Sequence, residues 1–99
     1  MIEDAPLFQP HSETSRAAWL ESRPTAAVLR GVILAYIESR GENGATDEEI
    51  QAALMMPGNT ERPRRVELVE GGWVRDVGAR RATRAGRRAV VWVAKGGGE

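Results

Sequence analysis

The chain has 99 residues, no cysteine, and fourteen Lys plus Arg against fourteen Asp plus Glu. That length holds one domain of ordinary size, which excludes a multi-domain enzyme. The missing cysteines exclude a disulfide scaffold and a thiolate metal site. No apolar run approaches the ~20 residues of a membrane-spanning helix. The opening Met1-Ile2-Glu3-Asp4 is acidic and lacks the basic, apolar start of a signal peptide, so a cytoplasmic chain is expected.

Zero net charge hides an uneven distribution. Residues 1–60 carry four basic groups against nine acidic ones, a balance of −5, and residues 61–99 carry ten against five, a balance of +5. Thirteen of the fourteen basic residues are Arg, whose planar fork suits phosphate and guanine better than the point charge of Lys. Leu, Ile, Val and Phe make up only 20 of 99 residues, at the border below which chains tend to stay disordered. A small, tightly patterned core with long ends is expected.

Residues 1–23 read as an N-terminal arm, with Pro6 and Pro10, followed by a short helix from Ser12 to Ser22 that ends at Arg23-Pro24. A helix this short is stable only when docked, which is the expected role of Trp19. Pro24 to Arg40 is the strongest helix: Val28, Leu29, Val32, Ile33, Tyr36 and Ile37 form one wide apolar stripe. Gly41 is its expected left-handed cap, and Gly41-Glu42-Asn43-Gly44 a turn. Thr46-Asp47-Glu48-Glu49 spells a capping box, with three acids suited to the positive end of the helix dipole. Ile50, Ala53 and Leu54 face inward, and Met55-Met56-Pro57-Gly58 closes this second helix.

Asn59 or Thr60 is expected to cap a third helix running to about Glu70, with Pro63 tolerated in its first turn. Arg62, Arg64 and Arg65 cluster at its start. From Trp73 the period changes: Trp73–Val77 and Ala89–Ala94 read as strands of an antiparallel hairpin. Between them lies a loop, Gly78–Arg88, with five arginines (Arg80, Arg81, Arg84, Arg87 and Arg88) and no acid. Lys95 to Glu99 reads as a tail, leaving residues 24–94 as the domain.

Helix, helix, turn, helix, hairpin is the order of a winged helix-turn-helix. The stretches Gly44–Ile50, Asn59-Thr60-x-Arg62-Pro63-Arg64-Arg65-x-Glu67-Leu68, Gly72-Trp73-Val74, Arg81-x-Thr83-x-x-Gly86-Arg87-x-Ala89 and Val91-Trp92 resemble the small winged-helix proteins of bacteriophages and prophages. More loosely they resemble bacterial winged-helix regulators. The resemblance implies an α+β fold, with a three-helix core, a C-terminal β-hairpin wing and an extra short N-terminal helix. It implies a transcription regulator binding double-stranded DNA in a bacterial or phage-infected cell, and it admits a homodimer on two half-sites.

The same residues argue for that chemistry on their own. Asn59 and Thr60 sit at a helix N-terminus, whose free amides suit a phosphate. Arg62, Arg64 and Arg65 follow within a turn, for guanine edges or phosphates in the major groove. Arg80, Arg81, Arg84, Arg87 and Arg88 would lie on the backbone or in a narrow minor groove. On this reading Arg64→Ala or Arg84→Ala weakens binding. The acidic start of the second helix opposes it and must face away from DNA or be offset by neighbours.

Trp73 and Trp92 are expected to pack in the core or across the strands, and Met55-Met56 in core and loop. His11, the sole histidine, has no companion ligand for a metal. No nucleophile–base pair, phosphate-binding glycine loop or metal cluster is present, so neither an enzyme nor a cofactor is expected. The alternative is a winged-helix module that binds a host protein without DNA, through its acidic half.

Overall fold

The structure, a computed structural model, describes residues 24–95. The expected arm and short helix, with His11 and Trp19, and the expected tail beyond Lys95 lie outside the described residues. The rest is an α+β arrangement of three helices and an antiparallel hairpin. None of these helices is long and apolar enough to cross a membrane.

Helix α1 spans Ala26–Ser39. Thr25 caps it, with its hydroxyl accepting from the Val28 amide at 3.2 Å, so Pro24 stays outside the helix. Leu29, Val32, Ile33 and Ile37 are its buried face. Gly41 takes the left-handed conformation expected of it, φ 57°, and opens a short 3-10 turn over Gly41–Asn43.

The next residues hold a feature that periodicity does not announce. Ala45 pairs with Trp92 of the hairpin, Ala45 N–H to the Trp92 carbonyl at 3.0 Å and Trp92 N–H to the Ala45 carbonyl at 2.8 Å. Gly44 makes this approach possible: its φ is +61°, and a Cβ there would sit 2.5 Å from the Trp92 carbonyl oxygen.

Helix α2, Asp47–Leu54, carries the expected capping box with both reciprocal bonds at 3.2 Å. Met55 ends it in the left-handed region, φ 52°. Ile50, Leu54 and Met56 are buried, while Ala53 is half-buried.

Helix α3, Gly58–Glu70, starts earlier than expected. Neither Asn59 nor Thr60 caps it: the N-cap is Pro57, without a side-chain bond. The Pro57 carbonyl accepts from both the Thr60 and Glu61 amides at 3.0 Å, and its ring pre-sets the backbone entering the helix. Pro63 therefore lies past the first turn, and the Asn59 carbonyl lacks the amide that residue 63 would otherwise donate. Leu68 is the buried apolar residue of this helix, and Val66 is exposed.

Strands β1, Val74–Ala82, and β2, Arg88–Ala94, are longer than expected, and the loop shrinks to residues 83–87. The extra length depends on a bulge. Asp76 faces Trp92 and Arg80 faces Val90, leaving Val77, Gly78 and Ala79 opposite Val91. Gly78, φ 93°, turns the chain there and donates its amide to Asp76 Oδ1 at 2.8 Å. The tip closes with the Thr83 amide on the Arg87 carbonyl at 2.7 Å and with Gly86 at φ 85°. Trp92 packs partly against the core, as expected. Trp73 instead stands just before β1 and is 58% exposed. Its backbone is engaged by Leu68 and Lys95, which leaves its ring outside the hairpin's packed face.

The core gathers α1, α2, α3 and the base of the hairpin: Ile33, Ile37, Ala45, Ile50 and Leu54 are fully buried, with Leu68, Val74 and Ala94 nearly so. It leaves the start of α3, the first turn of α2 and the outer hairpin together on one side.

Candidate functional site

A groove of about 370 Å³ runs between these three parts, lined by Asp47, Glu48, Gln51, Arg62, Arg65, Thr83, Ala89, Val90 and Trp92. A second hollow continues it through Glu48 and Gln51 to Gly58 and Arg84. The two candidate elements, α3 and the hairpin, thus meet across α2.

The eight candidate arginines divide evenly. Arg65 forms a two-pronged pair with Asp47, at 2.9 and 2.7 Å, and lies over the Trp92 ring at 4.3 Å. Arg81 forms a second two-pronged pair, with Glu49 at 2.8 and 2.7 Å, and reaches the Asn43 and Gly44 carbonyls. Arg64 bonds Glu67 at 2.8 Å, which also takes Arg30 at 2.7 Å. Arg80 bonds Asp76 across the bulge at 2.9 Å. Among the described residues Arg62, Arg84, Arg87 and Arg88 form no ion pair.

Two of those four line the hollows directly. Arg62 lines it from α3, with its guanidinium over Gly58. Arg84 lines the hollow beside it, and strand alternation puts Arg88 on the face of Val90 and Trp92. Arg87 stands exposed at the tip. Asn59 is exposed and Thr60 half-buried in the first turn of α3, as residues of the helix rather than its caps.

The acidic turn of α2 is offset by its neighbours. The Arg81 hydrogen bonds outweigh burial and hold the Glu49 carboxyl below its ordinary pKa. Burial raises Asp47, but the Arg65 bonds, with help from Glu61, prevail and lower it. Glu48 takes the Arg84 backbone amide at 3.1 Å and has no cationic partner among the described residues.

Beneath this turn lies Glu61, fully buried. Its Oε1 accepts from Gln51 at 2.9 Å, while Oε2 meets no donor. Burial first, then the adjoining Asp47 carboxylate, pushes its pKa up to about 8. A proton on Oε2 resolves the orphan: the neutral acid then donates to Asp47, which already holds Arg65.

Sequence reasoning missed Glu61, the Ala45–Trp92 pairing and the use of all three acids. One signal was present: a basic half without enough acids of its own must find partners in the acidic half. No known protein family, curated protein or solved structure matches the chain.

Proposed function

We propose that the protein binds duplex DNA as a winged helix-turn-helix transcription regulator of phage or bacterial type. The layout supports this reading: three helices precede a two-stranded hairpin, and an isolated bridge from Ala45 to Trp92 ties the segment between α1 and α2 to β2, which is compatible with a winged-helix arrangement. The observation that carries it is the placement of Arg62, Arg84, Arg87 and Arg88. They belong to α3 and the hairpin, Arg62 and Arg84 line the groove and the hollow beside it, and none of the four guanidinium groups forms an ion pair among the described residues. Phosphate oxygens are the ligand chemistry that four such forks accept.

Titration with random-sequence duplex at two salt concentrations tests it. Each phosphate contact adds about −0.9 to the slope of log K against log salt, so four contacts give a slope between about −3 and −4. Arg62→Ala and Arg88→Ala each remove about one contact's share of that slope. Arg64→Ala should do less than expected from sequence, because Glu67 already occupies that fork. A flat salt response rejects the proposal.

A second reading, a module that docks on a host protein, draws on the exposed Trp73 ring and on Val77, 51% exposed. A stoichiometric protein retained after nuclease treatment, and lost in Trp73→Ser, would favour it.

A further inference from the structure

The first turn of α2 touches each part of the candidate interface. Asp47 holds Arg65 of α3, Glu48 holds the Arg84 amide at the hairpin tip, and Glu49 holds Arg81 of β1. We propose that this turn is a positioning clamp, with Glu49 and Arg81 as its principal pair, which fixes the outer hairpin relative to α3 before any ligand arrives.

The bulge makes the clamp necessary. A two-stranded hairpin is marginal on its own. Below the bulge, Val74 and Val93 are buried in the body, and the Trp92–Ala45 pairing ties β2 down. Above it, β1 from Arg80 to Ala82 has no buried side chain. Gly78, at φ 93° and with open space around it, provides a pivot between the two parts. Arg81 and Arg84 lie beyond that pivot, and both return to one helical turn. Arg81 also bonds the Asn43 and Gly44 carbonyls, so its fork spans the turn that leads into Ala45. The outer hairpin is thereby referred to the same turn that anchors α3 through Asp47.

Glu49→Gln is the informative variant, since glutamine serves a capping box as well as glutamate does. It keeps the α2 start and removes the charge pair. In the free protein, amide hydrogen exchange over residues 80–90 should speed up about three- to tenfold, while the amides of buried Ile33 and Ile37 stay unchanged. Arg81→Gln, which also gives up the Asn43 and Gly44 carbonyls, should give the same pattern at least as strongly, and the double variant no more than Arg81→Gln alone. Unchanged exchange beyond the bulge overturns the clamp, and so do single effects that add.

The consequence for binding rests on the DNA reading. Losing a negative charge at Glu49 would, by electrostatics alone, tighten DNA binding. A clamp predicts the reverse, a several-fold loss, because the wing cations are no longer held in place. Equal or tighter binding overturns it. Where the native chain binds no duplex at low salt, the DNA reading fails and hydrogen exchange alone decides the clamp.

Discussion

Arg65 and Arg81 stand on the same two elements as Arg62 and Arg88, yet the pairs have opposite surroundings. The first two lie against α2, each with a two-pronged carboxylate. Of the other two, Arg62 lines the groove and Arg88 is exposed on β2, and neither forms an ion pair among the described residues. Identical side chains a few residues apart thus hold the fold together or stay available to a ligand. What separates them is the reach of two acids, Asp47 and Glu49, in one helical turn.

The largest effect that would break this comparison is on stability. Arg65→Ala leaves the largely buried Asp47 without its two-pronged partner, with only the more distant Arg62 charge to offset it, and uncovers Trp92, so it should cost about 3 kcal/mol. Arg62→Ala should change stability by less than about 0.5 kcal/mol. Urea midpoints measure both, and similar losses would erase the distinction between inner and outer arginines.

The inner layer also predicts a pH profile. A carboxyl raised in the folded state adds stability below its unfolded pKa and loses it as pH climbs through the folded one. Glu61, ordinarily near 4.5 and here about 8, should therefore lower stability by up to about 1.4 kcal/mol per pH unit between those values. Asp47, lowered, works in the other sense, with stability lost as pH falls through its folded value below 3.8. Thermal midpoints should peak in mild acid. Glu61→Gln keeps a donor toward Asp47 and should flatten the alkaline side, and an unchanged slope would refute the protonated acid.

The smallest effect concerns Glu48. It lines both hollows without a cationic partner among the described residues. Glu48→Gln keeps an acceptor for the Arg84 amide and removes one repulsion, so duplex affinity should rise about two- to fivefold in low salt. Weaker binding would place the DNA elsewhere.

Local signals were legible in the sequence. Gly41, the Thr46–Glu49 capping box and the apolar stripe of α1 are short-range chemistry, and each forms where its residues predict. The layout of three helices and a hairpin followed from them. What escaped depends on neighbours distant in the chain. The reach of β1 past Val77 needs a bulge that strand propensity does not encode, and it draws Arg80 and Arg81 out of the loop and into pairing. The burial of Glu61 needs Gln51 and Asp47 on another helix. The charge asymmetry was visible, but which cations it would neutralise was decided only when α2 came to lie between α3 and the hairpin.

The bulge has a further consequence, for self-association. With β2 flanked by β1 on one side and Ala45 on the other, β1 carries the sheet's exposed margin. A second copy adding a strand there would need an uninterrupted row of outward amides and carbonyls. At Val77–Ala79 the row is broken: the chain turns at Gly78, whose amide is already taken by Asp76. Arg75 and Arg80 place cations on either side of that break. Strand addition along β1 is thereby disfavoured.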